Sequence, residues 1–527
     1  MKKDGASEPT KLRLRFFILH PSSFILPFVL GAATVAGYAP FGLFPLPVLT
    51  LAALFLLWSR APSPGAAAAR GFAFGLGLFL LGVSWIYVSL HDFGAMPMPL
   101  AAIATLLFCA FLALLPAAAG YACARARGSD AASIVLLGPA AWTLTEWTRG
   151  WLLTGFPWLA TGYSQIPVSP LAGYAPVLGI YGVTLVTAVS AGLLAVVALR
   201  AVEKSDGGWR MADGWRVILR PAFLVLLALW AGGFALKQIA WTEPAGAPVS
   251  VSLLQGNVAQ DLKWREDRVI PTLNTYRRLT ESSNARLIIL PETALPLFLQ
   301  QVPADYLNAL AAHARVQDGD ILIGIPERIA GGGYYNSVVS RGSSPPQVYR
   351  KSHLVPFGEF IPLRPLLAGI VGALAIPLQD FSRGGAEQRP LAVAGERVAV
   401  NICYEDAFGE EIIRQLPEAT LLVNVSNVAW FGRSLAPQQH LQIARARALE
   451  TGRYMLRATN TGMTAVVAPS GRVTHVAQTF RNETVEAQVR GHTGATPYVR
   501  FGNTPAIVLA AVFVLTGFVR VGSRTAD

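Results

Sequence analysis

Charge is scarce in this 527-residue chain: 14% of residues are Asp, Glu, Lys or Arg, against roughly 25% in an ordinary soluble protein. Hydrophobic residues make up 53%, and the mean hydropathy is +0.44. Such a chain is too apolar to stay disordered, and a purely soluble particle of this size would lack the charge to cover its surface. Cysteine is scarcer still, at three residues, which excludes a disulfide scaffold. Acidic side chains number 31 against 43 basic ones, leaving a net charge of +12. The location of that excess argues against nucleic acid. Residues Val249–Arg490 hold 24 of the basic and 21 of the acidic side chains, so most of the surplus lies in the apolar remainder of the chain.

Long apolar runs fill the first 240 residues, and one returns near the end. They span Phe24–Tyr38, Phe44–Trp58, Gly71–Leu90, Pro99–Cys123, Ala131–Trp147, Ile180–Ala201, Ala222–Ala240 and Thr504–Arg520. Most approach the roughly 20 residues that a helix needs to cross a bilayer. With eight spans, 16 of the 19 basic residues outside the middle region fall on one side; Arg149, Lys237 and Arg500 do not. By the positive-inside rule both termini are then cytoplasmic, and the region between the seventh and eighth spans lies outside the cytoplasmic membrane. The chain divides into a membrane region over 1–245, an outer domain over 246–492, and a final span with a short tail over 493–527.

The middle region reads as a soluble α/β domain. Near-continuous apolar runs recur at Val249–Leu254, Leu287–Leu290, Ile321–Ile325, Val398–Ile402, Leu421–Val425 and Thr464–Ala468. Runs of this kind predict strands covered on both faces. Helical patterns lie at Val269–Ser282, Ala304–Val316 and Pro437–Gly452. Ile370–Leu378 is apolar but too short to span.

Three positions in this domain carry reactive chemistry. Cys403 closes the run Val398–Ile402 and precedes Tyr404-Glu405-Asp406, where a sharp turn can present sulfur in a cleft. Glu292 stands just after the run ending at Leu290, and Lys351 opens a Pro/Gly turn that also holds Glu359. A thiol nucleophile needs a base to take its proton and positive charge near the developing oxyanion. Glu292 and Lys351 supply those two groups, although spacing alone does not bring them to Cys403. Cys109 and Cys123 sit in apolar helical surroundings and read as packing. His313, His353 and His440 lack metal-ligand spacing.

Glu, Lys and Cys in this order and context resemble the nitrilase, or carbon–nitrogen hydrolase, superfamily. Membership implies an αββα sandwich with a Glu292–Lys351–Cys403 triad. A domain of that kind set between apolar spans is similar to the apolipoprotein N-acyltransferase family. The likeness includes Glu146-Trp147-Thr148-Arg149-Gly150, Gly155-Phe156-Pro157-Trp158, Lys263-Trp264, Tyr335-Asn336-Ser337, Lys351 through Pro362, Cys403-Tyr404-Glu405, Trp430-Phe431-Gly432 and Arg445 through Glu450. One position departs: Val428 stands where the family usually has Asp.

The resemblance implies a two-step acyl transfer without metal or dissociable cofactor. Cys403 would take the sn-1 acyl chain of a phospholipid as a thioester and pass it to the α-amine of a lipoprotein's diacylglyceryl-cysteine. Glu292 would move the proton, Lys351 would hold the oxyanion, and Glu359 would position Lys351. Asn336, Glu405, Tyr404, Trp264 and Trp430 are supporting or substrate-binding candidates, the aromatic ones as walls for an acyl chain. The implied setting is a bacterial inner membrane, with the catalytic domain periplasmic, the protein monomeric and no nucleic acid bound. A membrane-tethered amidase using the same triad is the alternative. A transporter is disfavoured by the few ionisable residues within the spans, Glu146 being the main exception.

Overall fold

The computed structural model describes residues 22–126, 131, 133–205, 208–211, 221–361 and 381–523. Pro362, the Ile370–Leu378 stretch and the basic residues Lys2, Lys3, Lys11, Arg13 and Arg15 lie outside them.

The membrane region is a bundle of apolar helices: α1 (Ser22–Thr34), α2 (Pro45–Ser59), α3 (Pro64–Gly82), α4 (Met98–Arg125), α5 (Gly138–Arg149), α6 (Ala175–Ala201) and α7 (Pro221–Lys237). Among the described residues, Pro64–Gly82, Met98–Arg125 and Pro170–Leu199 are long and apolar enough to cross a membrane, while Phe24–Gly37, Pro45–Ser59, Pro221–Lys237 and Thr504–Gly517 are shorter apolar helices. The third run begins earlier than its hydropathy suggests, because Ser63 caps it by accepting from Ala66 N at 3.2 Å and Pro64 follows at the first turn. It also ends at Gly82 rather than continuing to Leu90. Small residues let α3 approach α4 closely: a β-carbon on Gly71 would fall 2.2 Å from Pro116 O. Glu146 and Arg149 are both buried on α5. Glu146 accepts from Thr161 and Thr184, and Arg149 donates to the carbonyls of Phe156 and Trp158, so the two side chains brace the following loop.

The outer domain has two six-stranded sheets. The first is built from β1 (Glu243–Gln255), β2 (Leu287–Ile289), β3 (Asp320–Arg328), β4 (Tyr334–Gly342), β5 (Val348–Arg350) and, at its other edge, a late strand (Glu483–Thr493) paired with β1. The second runs β6 (Leu391–Val393), β7 (Glu396–Ile402), β8 (Leu421–Ser426), β9 (Met455–Thr459), β10 (Ala465–Val467) and β11 (Val473–Val476), so the late edge strand of the first sheet is β12. In each sheet the central three strands, β1–β2–β3 and β7–β8–β9, are parallel and the flanking ones antiparallel. The inner faces meet through Val251, Leu253, Leu287, Ile289, Val398, Val400, Val423 and Leu456. Each such side chain contributes roughly 1.5–3 kcal/mol on burial.

The outer face of the first sheet is covered by α8 (Glu266–Glu281) and α9 (Ala304–Val316). That of the second is covered by α10 (Ala436–Thr451), giving an αββα sandwich. Helix α10 has two apolar faces. Leu441, Ala444 and Ala448 pack on the second sheet, whereas Ala436, Ile443, Ala446 and Leu449 join the core of the membrane bundle. Polar side chains reinforce that second face. Gln439 Oε1 accepts from Trp158 Nε1 at 2.8 Å and from Trp85 Nε1 at 3.1 Å. Glu450 Oε1 accepts from Ile180 N at 2.7 Å, just after the break in α6 at Gly179. The chain closes with α11 (Thr504–Ser523), packed on α5 and α6.

Candidate active site

Strand β7 ends at Cys403, whose φ of +54° is in the left-handed region. For a residue with a β-carbon that conformation costs about 1–2 kcal/mol, and it turns the chain sharply into the short helix Cys403–Ala407. Glu292 is delivered by the parallel strand β2 of the other sheet. Gly324 on β3 makes room for it, since a β-carbon there would lie 2.1 Å from Pro291 O. Lys351 follows β5 and is anchored by its own N–H, which donates to Asn336 O at 2.8 Å.

The three side chains meet in a closed electrostatic arrangement. Lys351 Nζ donates to Glu359 Oε1 at 2.8 Å and lies 3.7 Å from Glu292 Oε1. Asn336 Nδ2 donates to Glu292 Oε1 at 2.7 Å and to Glu359 Oε1 at 3.4 Å. Asn427 N donates to Glu292 Oε2 at 2.8 Å, and Val355 N to Glu359 Oε2 at 2.8 Å. Burial works against the Lys351 ammonium, but the charges of Glu359 and Glu292 outweigh it, so its pKa lies above the ordinary lysine range. The Cys403 thiol is pushed up to about 12, first by burial and then by the Glu292 charge, with Lys351 pulling the other way. The resting sulfur is therefore a thiol, and a thiolate forms only as its proton is taken. Glu405 links the nucleophile's strand to the Lys351 turn. Its Oε1 accepts from Ser352 N at 2.7 Å and His353 N at 3.0 Å, and its Oε2 from Ile402 N at 2.7 Å and Tyr349 OH at 3.0 Å. Among the described residues, no group of three His, Cys, Asp or Glu side chains could hold a metal ion.

Residues 30–193 match the family model for the apolipoprotein N-acyltransferase N-terminal domain, and residues 250–498 match that for carbon–nitrogen hydrolases. An apolipoprotein N-acyltransferase of Nitrosomonas europaea is 53% identical over 494 residues, covering 94% of this chain and 96% of its own. One from Chromobacterium violaceum is 46% identical, covering 94% of each, and one from Methylococcus capsulatus 47%, covering 92% and 93%. The chain belongs to the apolipoprotein N-acyltransferase family. It is an acyltransferase with a nitrilase-like domain on an apolar helical bundle.

In this acyltransferase the residue after the cysteine faces the bundle. Tyr404 OH donates to Gly155 O at 2.9 Å, and its ring stacks near Trp158 at 6.4 Å, 15° from parallel, and near Phe156 at 6.5 Å, 30° from parallel. The rings continue through Phe156 to Phe108 on α4 at 5.1 Å, and through Trp158 to Trp85 at 5.2 Å and on to Phe431 at 4.8 Å. Phe156 and Trp158 belong to a motif noted in the sequence, but nothing in its spacing links them to Tyr404. Trp264 and Trp430 instead stand 48% and 39% exposed.

Two further groups stand at Glu292, neither given a role by the sequence pattern. Lys263 is buried, with Nζ 2.6 Å from Thr293 Oγ1 and 3.4 Å from Glu292 O. Asn427 holds Glu292 through its backbone, a role no side-chain pattern could reveal. Val428, beside it, is buried and apolar.

Proposed function

We propose that this chain transfers the sn-1 fatty acyl group of a phospholipid to the α-amine of the N-terminal diacylglyceryl-cysteine of a lipoprotein. Glu292 takes the Cys403 proton as sulfur attacks the ester carbonyl. Lys351 and backbone N–H groups compensate the oxyanion. Collapse expels the lysophospholipid oxygen, which receives the proton back from Glu292, and leaves an acyl thioester. In the second half the amine attacks the thioester, Glu292 accepts an amine proton, and the Cys403 thiolate leaves and is reprotonated. Glu359 keeps Lys351 charged throughout, while Asn336 spaces the two carboxylates.

The observation that carries this reading is the position of Cys403, with Glu292 and Lys351 on one side and Tyr404 docked on the aromatic loop of the membrane bundle on the other. A reactive thiol that adjoins the bundle can receive an acyl chain from lipid, and the aromatic wall keeps water from the thioester. With the orientation drawn from the basic residues, the chain acts as a monomer with eight spans, a periplasmic sandwich and cytoplasmic termini. Mass spectrometry of the full chain mixed with phospholipid tests the reading. The peptide carrying Cys403 should gain an acyl mass that Cys403→Ala abolishes, and an acceptor lipopeptide should then discharge it as an amide. Release of free fatty acid with no acylated peptide would favour hydrolysis instead.

A further inference from the structure

Beneath Cys403 lies a buried polar cluster that the mechanism above does not use. Asp406 Oδ1 accepts from His440 Nε2 at 2.7 Å, and Asp406 Oδ2 accepts from Arg457 Nη1 at 3.0 Å. Arg457 Nη1 also donates to Asn424 Oδ1 at 2.6 Å. Both arms then converge on one atom. Asn424 Nδ2 is 3.0 Å, and His440 Nε2 is 3.2 Å, from the carbonyl oxygen of Cys403. All four residues are at most 1% exposed. They come from the cysteine turn, β8, β9 and α10, so the cluster ties one peptide group to three surrounding elements.

The protonation of His440 follows from its neighbours. Nε2 faces two oxygen acceptors and must carry the proton. Nδ1 has no partner among the described residues, and the ring lies 5.3 Å from that of Trp158. Burial and the Arg457 charge hold the imidazole below its ordinary range, against the opposite pull of Asp406, and so favour the neutral form. His440 is then a fixed hydrogen-bond donor, not a proton shuttle.

We propose that Asn424 and His440 clamp the Cys403 carbonyl and thereby aim the Tyr404 N–H, on the opposite edge of the same trans peptide, at the substrate oxyanion. The inference rests on the acyl-transfer reading. A planar trans peptide holds its C=O and N–H antiparallel, so fixing the oxygen inward fixes the hydrogen outward. Without the clamp, the left-handed Cys403 could relax and swing that N–H away. At the tetrahedral stage the ester carbonyl becomes a C–O⁻, and the Tyr404 N–H shares its charge with Lys351. Asp406 and Arg457 are positioning residues, Asp406 by orienting the imidazole and Arg457 by neutralising Asp406 and orienting Asn424.

The test compares two reactions of Cys403 in the full-length protein: acylation by phospholipid, which passes through an oxyanion, and alkylation by iodoacetamide, which does not. Loss of one oxyanion donor costs about 10²–10³ in rate, and misaiming it should cost at least about tenfold. His440→Ala should therefore slow acylation by that amount and leave alkylation within about twofold of the wild type. His440→Gln, whose amide nitrogen can reach the Nε2 position, should restore acylation to within about threefold. Wild-type acylation in His440→Ala would overturn the clamp, as would acylation and alkylation falling together. A wild-type protein that is alkylated but never acylated would overturn the acyl-transfer reading itself, and the clamp with it.

Discussion

Replacing Lys351 by methionine keeps much of the side chain's length and removes its charge. Lys351 Nζ stands 2.8 Å from Glu359 and 3.7 Å from Glu292, and all three are buried. At an effective dielectric of about 20, those separations correspond to roughly 6 and 4 kcal/mol of Coulomb attraction. Removing the ammonium from water offsets several kcal/mol of this, so the net loss should be about 3–5 kcal/mol, as for other broken buried pairs. The Lys351→Met protein then holds two uncompensated carboxylates joined by Asn336. Thermal unfolding of the detergent-solubilised chain should show a clear fall in midpoint for this variant. Adding Glu359→Gln removes one of the two orphaned charges and should recover much of that fall. Cys403 acylation should stay at least about a hundredfold down in both variants, because the oxyanion has lost its cation. A Lys351→Met protein as stable as the wild type, or a double variant less stable than the single, would refute the reasoning.

Because the Cys403 thiol is pushed up to about 12, its alkylation by iodoacetamide should climb steadily from pH 7 to 10; a plateau near pH 9, as for an ordinary cysteine, would contradict this. Burial depresses the Lys263 ammonium to about 8, against the pull of Glu292. The unfolded lysine keeps its proton to about 10.4, so this site's stability contribution should rise between pH 8 and 10. Lys263→Met should flatten that rise in unfolding midpoints. Phe156→Ala opens the ring contacts to Trp158 and Tyr404. It should raise the KM for the acyl donor by about tenfold, as expected when a hydrophobic wall is cut back, while iodoacetamide still reacts with Cys403; an unchanged KM would remove Phe156 from the acyl path.

The sandwich was readable where burial imposes a simple pattern. Strands β7 and β8 are covered on both faces and so appear as unbroken apolar runs, and Ala304–Val316 carries a clean amphipathic period. The readable strands also end at the chemistry, which is why Glu292 and Cys403 stood out. What stayed hidden was polar and buried. Strand β9 contains Arg457, whose Nη1 donates to Asp406 and Asn424 on other elements, so its sequence does not look like a core strand. Strand β12 lies at an edge, and its pattern mixes buried and exposed residues. Helix α10 is recognisable as a helix, but nothing in its local pattern shows that Gln439, Gln442, Arg447 and Glu450 are buried. Arg447 and Glu450 pair across one turn, with Nη2 and Oε2 3.0 Å apart, and both side chains are buried against the membrane bundle. No local pattern distinguishes a polar residue facing water from one facing a protein partner hundreds of positions away.

The two-sided helix α10 gives the sandwich no independent soluble life. A fragment running from Glu243 to Thr493 would carry Ile443, Ala446 and Leu449 into water and strand the buried Arg447, Glu450 and Gln439 without their partners on the bundle. Each substitution on this helix must suit two neighbours at once, one that shapes the cysteine turn and one that sits in lipid. Catalysis and membrane residence are thereby inherited together: a lineage could not shed the helices and keep the thiol's surroundings intact.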